Sequence, residues 1–183
     1  MEILTHTKQR MEKVLEAVLN ELSKVRTGRA NVAILDDIRV EYYGALSPLN
    51  QVATLTVPES RLILIQPWDV SVIGGIEKAI LKSDLGLSPS NDGKIIRIAI
   101  PALTEERRKE LVKVVKQYGE DGKVSVRHVR RESMDEIKKL EKEKAHSEDE
   151  IKKLSEQIQK CTDDYVHKID ELMAKKEKDL MHV

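Results

Sequence analysis

Apolar residues recur at every third or fourth position in the first segment of the chain. From Ile3 to Val25 this spacing places them on one stripe of an α-helix. The stripe is formed by Leu4, Met11, Val14, Leu15, Val18, Leu22 and Val25. Gly28 follows, and glycine is typical just beyond a helix end because a positive φ costs it little. The pattern therefore predicts a first helix that ends shortly before Gly28.

After Arg29 the chain changes to short alternating runs, which are typical of β-strands. The first run alternates Ile38, Val40 and Tyr42 with Arg39, Glu41 and Tyr43. Further strands are predicted at residues 52–57, 61–66 and 94–100, with a short helix at 71–82 and a tight turn at 91–93. Strands around a single helix predict a small β/α/β domain.

Two longer helical patterns follow Pro101. Thr104 precedes Glu105 and Glu106, which is typical of a capped helix start, and the apolar stripe then continues for about forty residues, or on the order of 60 Å. Residues 147–150 form a capping box that predicts the start of a third helix. Its stripe comprises Ile151, Leu154, Ile158, Cys161, Tyr165, Ile169 and Leu172.

Packing the three stripes against one another removes them from water, which predicts a long antiparallel three-helix bundle. The expected fold is α+β, with residues 1–29 and 104–183 in the bundle and residues 31–102 in the inserted domain. Residues 29–31 and 102–104 are the two linkers. The candidate hinge residues are Gly28, directly before the first linker, and Asn31, Ala102 and Leu103 within the linkers.

The composition indicates that any attraction to polyanions must come from local clusters of Lys and Arg. Charged residues make up 35% of the chain and aromatic residues 3%, yet the formal net charge is zero. The chain has one cysteine, no apolar run of the signal-peptide type, and no stretch near the roughly 18 apolar residues of a membrane helix. These features predict a cytoplasmic protein. We also expect the chain to act as a monomer.

A local cluster of this kind lies in the second long helix. Residues 123–131 contain four fixed cations and no acid: Lys123, Arg127, Arg130 and Arg131. Helical geometry places these four on one flank beside the apolar stripe, so they are expected to be exposed and to bind RNA phosphates. Arg26 and Arg29 form a second, weaker candidate group. The alternative is that such a charge run is only a solvated face, or that Arg26 and Arg29 only balance a helix dipole.

Enzymatic chemistry is not indicated. A thin helical rod offers neither a pocket nor a base beside a nucleophile, the histidines lack ligand spacing, and no phosphate-binding glycine loop is present. We therefore expect no catalytic residue, no metal and no cofactor. Cys161 lies on an apolar stripe and is expected to be a buried packing residue, and Trp68 is expected to anchor the core of the small domain.

Nine segments, taken in order, resemble the bacterial and organellar ribosome recycling factors along essentially the whole chain. They are VRTGRA at 25–30, VEYYG at 40–44, PLNQV at 48–52, IQPWD at 65–69, IEKAI at 76–80, SDLGL at 83–87, PSNDG at 89–93, LTEERRK at 103–109 and VRHVRR at 126–131. The resemblance implies an L-shaped molecule. It also implies binding to the post-termination ribosome and its splitting with elongation factor G and GTP hydrolysis.

The same resemblance implies that Arg127, Arg130 and Arg131 contact the RNA of the large ribosomal subunit. His128 departs from the usual Asn, and Gly119 and Gly122 are expected to interrupt the second long helix where better helix formers are usual. Local flexibility near the basic flank is therefore expected to differ from that of the family. An adaptor that binds proteins through its apolar stripes is the alternative from another class. An enzyme is a third alternative, which a deep pocket with convergent titratable groups would favour.

Overall fold

The computed structural model describes residues 2–144 and 146–182. The chain divides into two compact units, Met1–Thr27 with Thr104–Val183, and Gly28–Leu103. The four α-helices are α1 (Glu2–Lys24), α2 (Ile73–Lys82), α3 (Glu105–Lys142) and α4 (Glu148–Met181). The expected α+β fold, with three long helices and a small domain that contains strands and one helix, is confirmed. No described helix has the length and apolar content needed to cross a membrane.

The starts of α3 and α4 are fixed by the predicted caps. Thr104 Oγ1 accepts a hydrogen bond from the Arg107 amide at 3.2 Å. Ser147 and Glu150 form the reciprocal capping box, in which Ser147 Oγ accepts from the Glu150 amide and Glu150 Oε2 accepts from the Ser147 amide. Acidic residues occupy the first turn of both helices, where they face the positive end of the dipole.

The apolar stripes of α1, α3 and α4 pack against each other as the bundle core. Met11, Val115, Val126, Ile158 and Ile169 are fully buried in it. The Cys161 side chain is 5% exposed, and its Sγ lies 3.7 Å from Met11 Sδ. Burial raises the pKa of the Cys161 thiol. Its expected role as a packing residue is confirmed.

Gly119 and Gly122 do not interrupt the helix, since α3 is continuous through both. Both glycines are buried, and a Cβ atom at either would overlap a neighbour: Met173 Sδ at Gly119, and Val18 Cγ2 at Gly122. The expected interruption of the helix at these glycines is therefore wrong. Gly122 allows α1 to approach α3 closely, since an alanine would overlap the stiff Val18 side chain, whereas an alanine at Gly119 would require the flexible Met173 side chain of α4 to move.

The inserted unit contains two antiparallel sheets. A hairpin of β1 (Arg39–Tyr42) and β2 (Ala45–Pro48) forms one, and the other has the strand order β3-β4-β6-β5. Its strands are β3 (Ala53–Glu59), β4 (Leu62–Pro67), β5 (Pro89–Asn91) and β6 (Ile96–Ala99). The predicted strands and short helix are confirmed, but β2 and β5 are additional. Both strands are short and contain proline, and neither shows the pattern of alternating apolar residues on which the prediction of strands depended.

Aliphatic side chains fill the core of the inserted unit. Ile63, Ile65, Ile76, Ile96 and Ile98 are all fully buried there. Trp68, in contrast, is 68% exposed, and its indole Nε1 donates to Thr54 Oγ1 at 3.0 Å. The prediction that Trp68 anchors this core is wrong because α2 and the inner faces of the strands already fill it.

Replacement of glycine by alanine should have opposite effects at crowded Gly122 in α3 and at open Gly74 in α2. Gly122→Ala should lower the free energy of unfolding by about 1 to 3 kcal/mol, because the new Cβ meets the stiff side chain of Val18. Gly74→Ala, which has open space around it in α2, should be neutral or stabilise by up to about 1 kcal/mol. Urea unfolding followed by circular dichroism measures both.

Val18→Ala provides the control for Gly122→Ala. The two changes should not add, because removing the Val18 methyl groups makes room for the alanine at residue 122. Additive losses in the double variant would show that Gly122 is not required by this contact.

Candidate nucleic-acid interface

The predicted basic residues lie where α3 runs beside α4. Val126 and Val129 on α3 are buried in the bundle, whereas Arg127 and Arg131 are exposed. This follows from the helical period, because the two arginines are rotated away from the buried stripe by about a quarter turn or more. Their expected exposure is confirmed.

The positive charges of Arg127 and Arg131 are not neutralised by other residues of the described part of the chain. Among residues 2–144 and 146–182, neither side chain has a hydrogen bond or an ion pair. The rest of the described surface contains many internal charge pairs, such as Lys109 with Glu105 and Arg107 with Glu110. The two arginines thus form an unneutralised basic site that suits phosphate groups.

Arg130 was also expected to be exposed, but it is half-buried at the edge of the same site, where α4 covers part of it. Its Nε donates to Gln159 Oε1 on α4 at 2.7 Å. Gln159 Nε2 in turn donates to Asp163 Oδ1 at 2.9 Å. The Nη groups of Arg130 form no hydrogen bond within the described part of the chain. They are available to an external acceptor.

Lys123 differs from the arginines, contrary to the prediction of an exposed cation. Its side chain is 13% exposed, and its Nζ lies 2.5 Å from Asp170 Oδ1 on α4 and 3.1 Å from Glu120 Oε1. The hydrogen bond to Asp170 raises the pKa of Lys123, and Glu120 adds to this effect. The acid-free window begins at Lys123, so Glu120 lies just before it in sequence and α4 supplies Asp170 in space. Lys123 therefore joins α3 to α4.

His128 turns to another side of α3. Its Nε2 lies 3.2 Å from Glu132 Oε1, and Glu132 is also paired with Arg10 of α1. The hydrogen bond from Arg10 lowers the pKa of the Glu132 carboxyl. His128 therefore lies beside the Arg10–Glu132 pair that joins α1 to α3. It does not interrupt the group of Arg127, Arg130 and Arg131.

The weaker pair of arginines falls in different units. Arg26 belongs to the unit that contains the bundle, and Arg29 belongs to the inserted unit. Both are exposed. The contacts of Gln159 with Arg130 and of Asp170 with Lys123 were not predicted, because no local pattern pairs residues of two different helices.

The proposed hinge residues also differ in their surroundings. Gly28 has a φ of +74°, and a Cβ there would lie 3.1 Å from Leu103 Cγ, so the two linkers meet inside the inserted unit. Asn31 Oδ1 accepts from the Ala33 amide at 2.9 Å and caps a 3₁₀ turn at Val32–Leu35. The Ala30 amide donates to Ser60 O at 2.7 Å. Residues 30 and 31 are therefore held by the inserted unit.

Comparison with known proteins gives one consistent result. The family model described as "Ribosome recycling factor" matches residues 18–181. The ribosome-recycling factors of Bacillus velezensis and Bacillus subtilis are 59% and 58% identical to this chain over 182 residues, covering 100% of it and 98% of each relative.

Solved structures agree. A solution structure of a ribosome recycling factor has a TM-score of 0.79 and 43% identity, and covers 100% of this chain and 97% of its own. A second match, with a TM-score of 0.65, 50% identity and coverage of 99% and 98%, is titled as models for the T. thermophilus ribosome recycling factor and the E. coli elongation factor G bound to the E. coli post-termination complex.

The contact between Lys123 and Asp170 predicts a stability effect. Asp170→Asn should lower the free energy of unfolding by about 1 to 3 kcal/mol, because it leaves the poorly solvated Lys123 ammonium without its partner on α4. Lys123→Met should lower it by about 1 kcal/mol, because the Asp170 side chain that loses its partner is 47% exposed and stays solvated. The double variant should lose less than the sum. Urea unfolding measures all three.

Lys113→Met is the matched control, since Lys113 is an exposed lysine on α3. It should change the free energy of unfolding by no more than about 0.5 kcal/mol. Equal effects of Lys113→Met and Lys123→Met would contradict a structural role for Lys123.

Proposed function

Because the chain belongs to the ribosome recycling factor family, we propose that it binds the post-termination ribosome and, with elongation factor G and GTP hydrolysis, promotes its dissociation into subunits. The match extends over the whole chain, and the solved relative that is placed on a post-termination complex supports the same setting. The role is that of a cytoplasmic translation factor and not of an enzyme. In this proposal the chain itself does not catalyse the formation or cleavage of any covalent bond.

The observation that carries the proposal is the group of three arginines on α3. Arg127 and Arg131 are exposed and unpaired within the described part of the chain, and Arg130 keeps its Nη groups available. A guanidinium can hold a phosphate with two hydrogen bonds and can stack on a base. In this proposal the three side chains contact RNA of the large ribosomal subunit. Arg26 and Arg29 are additional candidates, and Lys123 supports the site from within the seam between α3 and α4.

The structure disfavours the protein-binding adaptor. That alternative requires free apolar stripes on the long helices, but the stripes of α1, α3 and α4 are buried against one another. The apolar residues that remain exposed on the helices, such as Leu19 and Val124, are partly solvated single positions, which are normal on a protein surface.

The inserted unit has a mechanical role in this proposal. The bundle anchors the protein on RNA, while the inserted unit moves as one body about its linkers. Gly28, Ala102 and Leu103 lie where the chain passes from one unit to the other, and Gly28 has a positive φ that only glycine adopts at low cost. Asn31, as a cap within the inserted unit, moves with that unit.

Charge reversal tests the RNA contact. Arg127→Glu and Arg131→Glu should each weaken binding to large ribosomal subunits by about tenfold or more, because a charge-assisted phosphate contact is lost. Each should also reduce the slope of log affinity against log salt by about one. Sedimentation with subunits over a salt series measures both quantities.

Arg107→Glu is the matched control. Arg107 is an exposed arginine twenty positions before Arg127, on the opposite side of the same helix. It should retain binding within about threefold, since a single exposed charge away from a contact has a small effect. Equal losses of affinity in Arg107→Glu, Arg127→Glu and Arg131→Glu would indicate nonspecific attraction. Wild-type affinity in Arg127→Glu and Arg131→Glu would indicate that these arginines are only solvated surface charges.

A change at Gly28, beside the first linker, should affect subunit splitting but not ribosome binding. Gly28→Ala should leave ribosome binding near that of the wild type but slow subunit splitting, because a Cβ strains the positive φ and presses on Leu103. Sedimentation measures binding, and light scattering in the presence of elongation factor G and GTP measures splitting.

Gly93→Ala is the control for backbone strain alone. Gly93 also has a positive φ, of +88°, but has open space around its Cα in a surface turn. Splitting at the wild-type rate is expected for this variant. Wild-type splitting by Gly28→Ala would show that this linker is only a connection.

A further inference from the structure

Two cations on α3 meet α4 in different ways. Lys123 contacts the carboxylate of Asp170 directly, and its charge is neutralised there. Arg130 lies two turns further along α3 and also faces α4, but Gln159 stands between it and Asp163. A neutral side chain thus occupies the place that a carboxylate takes at Lys123.

The amide of Gln159 is held in one orientation by its two partners. The Arg130 Nε–H can only donate, and an ionised Asp163 carboxylate can only accept. Gln159 therefore has to direct Oε1 to Arg130 and Nε2 to Asp163, as the distances of 2.7 Å and 2.9 Å show. The reversed amide would face a donor with a donor and an acceptor with an acceptor.

This arrangement has two consequences for the guanidinium. Its inner edge is fixed at Nε, so less side-chain freedom remains to be lost when the Nη groups bind a phosphate. Its full positive charge also remains, because the partner is neutral. A carboxylate at residue 159 would hold Arg130 equally well but would cancel the charge.

We propose that Gln159, held by Asp163, is a positioning residue that orients Arg130 for RNA binding while keeping it from being neutralised. The inference rests on the proposed contact between Arg130 and ribosomal RNA. Gln159 itself touches no RNA in this account, and it acts only through Arg130.

Gln159→Glu tests the charge and Gln159→Leu tests the orientation. The carboxylate of Gln159→Glu should pair with Arg130 and weaken binding to large subunits by about tenfold, with the salt slope reduced by about one. Gln159→Leu leaves the charge but not the hydrogen bond. It should weaken binding by a smaller factor, with the salt slope unchanged.

Two controls separate positioning from other effects. Gln157→Glu introduces the same charge at an exposed residue of α4 and should bind within about threefold of the wild type. In an Arg130→Ala background, neither substitution of Gln159 should weaken binding further, because the residue through which it acts is gone. Urea unfolding of each variant verifies that the bundle is intact.

The outcomes are distinguishable. If Arg130→Ala weakens binding but both Gln159 variants bind as the wild type, or lose affinity equally without Arg130, the positioning role is wrong and the proposed function stands. If Arg130→Ala itself binds as the wild type, both the positioning role and the contact of Arg130 with RNA are wrong.

Discussion

The register in which α3 packs against α1 and α4 is the constraint on which the basic site depends. Gly122 receives Val18 of α1 and Gly119 receives Met173 of α4, so the helices approach closely at these two points. With α3 and α4 fixed in this way, Asp170 meets Lys123 and Gln159 meets Arg130. The packing of buried residues thus decides which cations are neutralised. A slip of one turn would change every one of these partners.

Much of the fold could be predicted because its signals are local. The apolar stripes fixed the three long helices, and the caps at Thr104 and Ser147 placed the starts of two of them. The strands of the inserted unit that alternate apolar residues were predicted, whereas β2 and β5, which do not, were missed. The exposure of Arg127 and Arg131 also followed from the helical period. Family membership rested on nine ordered segments, and the comparisons agree with it.

The remaining features depend on residues far apart in sequence. Lys123 pairs with Glu120 just before the acid-free window and with Asp170 of another helix, so the window of residues 123–131 alone did not predict its neutralisation. Gly119 and Gly122 look like weak points by helix propensity alone, yet in the bundle they are the places where side chains of other helices fit. Trp68 is apolar enough for a core, but isoleucines from the strands and α2 already fill that space. Each of these errors arises because tertiary packing outweighs a local preference.

The central claim is that the seam between α3 and α4 divides the four cations of residues 123–131 into one that joins the helices and three that are proposed to face RNA. A structure of the protein on the post-termination ribosome, at a resolution that shows side chains, tests it directly. The account predicts phosphate oxygens within hydrogen-bond distance of Arg127, Arg130 and Arg131, with Gln159 still on Arg130 Nε and Lys123 still on Asp170. Lys123 bound to a phosphate in place of Asp170, or the three arginines facing solvent, would contradict it.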